Sequence, residues 1–145
     1  RRHFLHVAAM CVGNHDSIKN LLATIETCIT SKKLRKLFMA RDFSRRNSLD
    51  YMILHSDFDN FDAMFDVYKK HITPMRMKKI ISPWLKSSEL SVKGKEKIEG
   101  KFEQLERDER EHHIKYGYTS KVRVGKMKFE VKIGKAVDER EEAEN

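Results

Sequence analysis

Two stretches of the chain carry apolar residues at helical spacing. Ile18, Leu21, Leu22 and Ile25 line one side of Asp16–Ile29, and Phe61, Met64, Phe65, Tyr68 and Ile72 line one side of Phe61–Ile72. Each is preceded, across a polar loop, by a shorter apolar segment that reads as a brief helix: Phe4–Ala9 and Ser48–Ile53. Asp16 and Asn60 stand where N-caps of the longer helices are expected, since their short side chains can accept from free backbone N–H groups. Further on, Glu89–Tyr116 reads as a long polar helix. Its single thin apolar stripe is Ile98, Phe102, Leu105, His112 and Tyr116, the pattern of a docked surface helix. Glu103, Glu106, Asp108, Glu109 and Glu111 mingle there with Lys101, Arg107 and Arg110, which allows ion pairs one turn apart.

The pattern then changes period. Tyr118–Val124 and Met127–Ile133 alternate, and Gly125-Lys126 between them suits a two-residue type II′ turn. That turn places Val124 opposite Met127, Val122 opposite Phe129, Ser120 opposite Val131 and Tyr118 opposite Ile133, all on one face. Thr119, Lys121, Arg123, Lys128, Glu130 and Lys132 take the other, basic face. A lone hairpin is marginal, so its apolar face is expected to pack on the helix before it, on the first part of the chain or on a further segment. The chain thus divides into helical repeats over 1–86, a charged helix over 87–117, a hairpin over 118–137 and an acidic tail over 138–145.

The paired helices also carry a recognisable motif. Leu5-His6-Val7-Ala8-Ala9, then Gly13-Asn14-His15-Asp16 and Leu21-Leu22, resemble the ankyrin repeat, which runs Thr-Pro-Leu-His-x-Ala-Ala, Gly-His-x-Glu and an apolar Leu-Leu helix. Ala40-Arg41-Asp42 and Asn47-Ser48-Leu49-Asp50-Tyr51 resemble the start of a second repeat, with Asn47 as cap of its first helix. The fold class that follows is mainly α: ankyrin-like helix pairs, then a charged helix and a C-terminal β-hairpin. Leu5 and Leu49 are 44 residues apart, against about 33 in the family. Ile29–Met39 therefore reads as an insertion, extended or forming an extra basic helix. The resemblance implies a structural role for His6 at its helix start. It also implies protein binding through a concave face of loops and first helices. The matching positions are Arg1, Arg2, Arg41, Phe43, Arg45 and Arg46, a basic set that implies an acidic partner segment.

Charge sharpens this picture. The net charge is +8, and charged residues make up 36% of the chain against about 25% ordinarily. All of the excess lies in residues 1–86, with 16 basic and 8 acidic groups, while residues 87–145 hold 14 of each. Lys69, Lys70, Arg76, Lys78 and Lys79 fall in a stretch without acids, directly after the acidic Tyr51–Val67. Such a stretch is either a solvated, self-complementary surface or a patch for nucleic acid or an acidic partner.

Little in the sequence indicates chemistry. There is no zinc spacing, phosphate loop, nucleophile elbow or complete calcium loop, so neither a cofactor nor a metal nor catalysis is expected. Cys11 and Cys28 fall near apolar helix positions and read as buried thiols of a cytoplasmic or nuclear protein. Arg45-Arg46-Asn47-Ser48-Leu49 has the form of a basophilic kinase site at Ser48. No apolar run is long enough for a membrane span. The chain starts at Arg1 without an initiator Met, which suits a piece of a longer protein with further repeats. The leading expectation is a non-enzymatic protein-interaction module. The alternatives are a basic nucleic-acid-binding domain and the cytoplasmic structural part of a larger assembly.

Overall fold

A computed structural model describes residues 3–10, 15–55, 57–134 and 138–142. The chain is mainly helical and ends in a two-stranded antiparallel hairpin. Its helices come in triplets. The first triplet is α1 (Phe4–Met10), α2 (His15–Cys28) and α3 (Ser31–Met39); the second is α4 (Ser48–Leu54), α5 (Phe58–His71) and α6 (Pro74–Ile81). Helix α1 packs on α4 and α2 packs on α5. Leu5 and Leu49 are both fully buried at this junction. Ile18, Leu22 and Ile25 of α2 join Phe61, Met64, Phe65 and Tyr68 of α5 in the same core.

The segment expected to be an insertion is an integral part of the triplet. Thr30 accepts from Lys33 N–H and starts α3, and Thr73 with Pro74 at the first helical position starts α6, 43 residues further on. Leu34 and Phe38 of α3 match Met77 and Ile81 of α6, and all four are buried. The Phe38 ring stacks on Tyr68 at 4.2 Å, and the Tyr68 hydroxyl donates to the Phe38 carbonyl at 3.1 Å. Burial pushes the Tyr68 phenol well above its ordinary range, so this donor is never lost. His71 ties the triplet together, touching Ser31 Oγ at 3.1 Å and Glu26 Oε2 at 2.9 Å.

Helix boundaries shift for local reasons. Asp57, rather than Asn60, caps α5: its carboxylate accepts from Asn60 N–H, so the helix begins three residues early, at Phe58. Helix α2 begins at His15, which puts Asp16 inside it rather than at its cap. Cys28 is exposed, not buried, because it lies on the side of α2 turned away from α5. Cys11 lies outside the described residues.

A 3₁₀ turn (Ser82–Lys86) leads to α7 (Val92–Tyr116), capped by Ser91. Ile98 and Leu105 of the thin stripe are fully buried, and α7 packs against α6. Lys97 and Lys101 meet Asp62, and Asp108 meets Lys69, so α7 runs parallel to α5 and is tied to it by ion pairs. Gly117, at φ 78°, ends α7 and turns the chain outward. Strands β1 (Tyr118–Val124) and β2 (Met127–Ile133) then pair in the predicted register, from Val124 opposite Met127 to Tyr118 opposite Ile133. Gly125 takes φ 60° at the first turn position, as a type II′ turn requires. Among the described residues the expected covering of the apolar face does not occur. Val122, Val124, Met127, Phe129, Val131 and Ile133 are 42–62% exposed, because the turn at Gly117 carries the hairpin clear of the helices.

Beyond the hairpin, the short helix α8 (Glu139–Glu142) is latched back onto the core. His112 Nε2 of α7 lies 2.8 Å from Asp138 Oδ2, and both side chains are almost fully buried. Arg140 clamps the same carboxylate and donates to the Lys69 carbonyl, at the end of α5. Burial alone would raise the Asp138 pKa, but the Arg140 bonds and charge and the His112 bond outweigh it and hold the carboxyl at about 2. Its ordinary value is 3.8, so the latch stabilises the fold fully above that pH and is lost as pH falls towards about 2. Acid titration followed by NMR of the Arg140 amide should show release between those values, and Asp138→Ala should abolish the step.

Candidate partner-binding site at the triplet junction

The loop joining the two triplets, Ala40–Asn47, is built around one carboxylate. Asp42 Oδ1 accepts from the N–H groups of Ser44 (2.9 Å) and Arg46 (3.2 Å), and the buried Tyr51 hydroxyl donates to Oδ2. The Asp42 carbonyl accepts from Arg45 N–H at 2.9 Å, and Asp42 N–H donates back to the Arg46 carbonyl at 3.0 Å. This is a tight hairpin loop whose last residue, Arg45, sits at φ 60°. A left-handed backbone costs a non-glycine residue about 1–2 kcal/mol.

Both flanks of the loop are bolted down. Asn47 caps α4 with a reciprocal pair: its side chain accepts from Asp50 N–H at 2.9 Å, and Asp50 Oδ2 accepts from Asn47 N–H at 3.0 Å. Trp84 Nε1 donates to Asp50 Oδ1 at 2.8 Å, which brings the 3₁₀ turn against the loop. Burial pushes the Asp50 carboxyl up, opposed by the Trp84 and Asn47 bonds and by the Arg41 and Arg46 charges. On the other side His6 is fully buried. Its Nδ1 accepts from His3 N–H, so Nε2 carries the proton and donates to the Arg46 carbonyl at 3.0 Å.

What these anchors leave outside is basic. Arg41, Ser44, Arg45 and Arg46 line a pocket of about 180 Å³ together with Asp50, Ile80, Pro83 and Trp84. Arg46 lies over the Trp84 ring at 5.9 Å and reaches Glu89 at 3.6 Å. Arg41 donates to the Arg45 carbonyl at 3.2 Å, and both residues are exposed. Phe43 stands at the loop tip, 89% exposed. Of the basic set expected from the sequence, the structure thus gathers Arg41, Arg45 and Arg46 around one pocket with Phe43 beside it. Arg1 and Arg2 lie outside the described residues.

Trp84 and Pro83, the apolar wall, were not part of that set. The sole tryptophan amid basic residues was visible, but Trp84 and Asp50 are 34 residues apart and nothing local connects them.

The second basic stretch is largely neutralised. Lys69 pairs with Asp108 (2.9 Å), Lys70 with Glu26 (3.7 Å) and Lys78 with Glu109 (2.8 Å), while Arg76 is also engaged. Lys79 is exposed. The acids come from α7 and α2, not from the adjoining acidic run. Ser48 is fully buried at the first turn of α4, because the Asn47 cap draws that turn into the core; a kinase cannot reach its hydroxyl in this fold. Among the described residues no cluster of His, Cys, Asp or Glu could hold a metal ion, and no helix is long and apolar enough to cross a membrane. No protein family, curated protein or solved structure matches the chain.

Proposed function

We propose that this chain is a non-enzymatic, ankyrin-like interaction module that grips an acidic segment of a partner protein at the Arg41–Arg45–Arg46–Trp84 pocket. The observation that carries the reading is Arg45. It holds a bulky charged side chain at φ 60°, where glycine would be relaxed, and strain of this kind is concentrated at functional sites. Arginine is the side chain best suited to carboxylates, through its planar fork of donors. A pocket of about 180 Å³ accommodates one or two acidic side chains. The stacking of α1 on α4 and α2 on α5, with the loop at one end, supports the ankyrin-like reading, as does His6 bonded at its helix start. The triplet is longer than the family repeat by α3. In the second basic stretch Lys69 and Lys78 are taken up by carboxylates of α7, which removes two of the charges a nucleic-acid backbone would use.

The test uses a fluorescent poly-glutamate peptide, with a single-stranded oligonucleotide as the competing probe. Arg45→Gly should keep or raise thermal stability, because the strain is relieved, while weakening peptide binding about tenfold, the loss of one charge-assisted contact. Arg41→Glu/Arg45→Glu should abolish it. Unchanged peptide affinity in both variants, or tighter binding of the oligonucleotide, overturns the assignment.

A further inference from the structure

Both faces of the β1–β2 hairpin lie open, for every residue over 121–134 is exposed. On one face the apolar side chains grow barer towards the turn. Val122, Phe129, Val131 and Ile133 are 42–48% exposed, whereas Val124 and Met127, the pair beside the turn, are 62% and 61% exposed. On the other face Arg123 stands directly opposite Lys128, and Lys126 lies in the turn. Like charges placed directly opposite one another destabilise a strand pair, and an anion between them removes that cost. The residues 122–129 hold three cations and no acid. Glu130, opposite Lys121, is the only acid of the two strands, against four cations on the strands and Lys126 in the turn.

The tip is set apart from the acids of the helices. Each strand has seven residues, so the turn stands about 23 Å from Gly117, where α7 ends. In about 0.1 M salt a charge is felt over about 10 Å, so carboxylates near the end of α7 do not offset the cations of the tip.

The pairing of these two faces selects the occupant. A sheet with its side chains is about 10 Å thick. Nucleic acid or an acidic protein segment would meet the cations and leave Val124 and Met127 in water. A second copy laid on the apolar face would cover those two and leave Arg123 against Lys128. A membrane surface offers both media within the thickness of the hairpin: hydrocarbon lies beneath a headgroup layer about 5–7 Å deep. Basic residues on one face and apolar ones on the other are also the pattern by which amphipathic elements lie in that layer.

We infer that the hairpin tip docks on a membrane surface containing anionic lipids, with Val124 and Met127 reaching the hydrocarbon boundary and Arg123, Lys126 and Lys128 among the lipid phosphates. The hairpin lies in the interface and does not cross the bilayer. This surface is separate from the Arg41–Trp84 pocket and does not depend on what that pocket binds.

Flotation of the whole chain with phosphatidylcholine vesicles, with and without about 30% phosphatidylserine, tests this. The chain should float with the anionic vesicles and not with the neutral ones, and raising the salt from about 0.1 to 1 M should weaken binding at least tenfold. Arg123→Gln/Lys128→Gln should weaken it at least tenfold, since each basic side chain near such a surface contributes about fivefold. Val124→Ser/Met127→Ser should do the same with the helical circular dichroism unchanged, and Arg41→Glu/Arg45→Glu should leave binding within twofold of wild type. Losing Val124 also lowers strand propensity, so Met127→Trp gives a second measurement on an intact hairpin. Lipids brominated along their chains should quench the new indole and spare the buried Trp84. A chain that does not float with the anionic vesicles overturns the inference. So does binding that survives Val124→Ser/Met127→Ser, an indole at the tip that brominated chains leave unquenched, or tighter binding of a single-stranded oligonucleotide through Arg123 and Lys128.

Discussion

Phe38→Ala is expected to destabilise the fold by about 3–5 kcal/mol, the range for truncating a fully buried aromatic. In a chain of this size that lowers the melting temperature by about 10 °C or more. The reason lies in what Phe38 touches. Its ring stacks on Tyr68, in the last turn of α5, and the two side chains are buried together. Removing the ring leaves a void beneath Tyr68 and loosens the only α3 side chain stacked against α5 among the described aromatic pairs. A decorative insertion would behave otherwise, since its loss would cost a few tenths of a kcal/mol on the surface. Calorimetry of Phe38→Ala therefore decides whether α3 is structural: a melting temperature within a degree or two of wild type would show that it is not.

Asp42→Ala is expected to lower stability by about 3 kcal/mol and to loosen the Arg41–Arg46 loop. Three donors lose their acceptor at once: the N–H groups of Ser44 and Arg46, and the buried hydroxyl of Tyr51. Bonds to a charged acceptor contribute about 1.5–3 kcal/mol each, though water reaches the exposed Ser44 N–H and recovers part of the loss. Asp42→Asn keeps one acceptor oxygen for the backbone, and the Tyr51 hydroxyl can turn to accept from the new amide. It should recover more than half of the loss. Hydrogen exchange of the Arg46 amide reports the loop directly. If it stays protected in Asp42→Ala, the carboxylate is not the organising group. Peptide affinity should fall in the alanine variant and return in the asparagine variant, because the pocket depends on the loop's shape.

The junction explains why the candidate site was only half legible. Arg41, Arg45 and Arg46 were named only because the ankyrin resemblance implies binding through the loops between repeats, where they stand. Asp42 and Trp84 could not be named, because their roles depend on bonds to Tyr51 and Asp50 that exist only once α4 and the 3₁₀ turn are packed. Ser48 misled for the same reason: a kinase motif is a local pattern, whereas the accessibility of its hydroxyl is set by the cap and core around it.

The hairpin marks the limit from the other side. Its register is decided by a two-residue turn and a period of two, both local, and every predicted pair is present. The apolar faces of α2, α5 and α7 were legible likewise, since helical spacing alone selects them. Tertiary structure alone decided the destination of those faces. It made α3 the partner of α5, brought the acids of α7 onto Lys69 and Lys78, and carried the hairpin away from the helices at Gly117. Spacing along the chain says which residues seek cover. Which neighbour supplies it depends on contacts between residues far apart in sequence, and those form only as the helices stack.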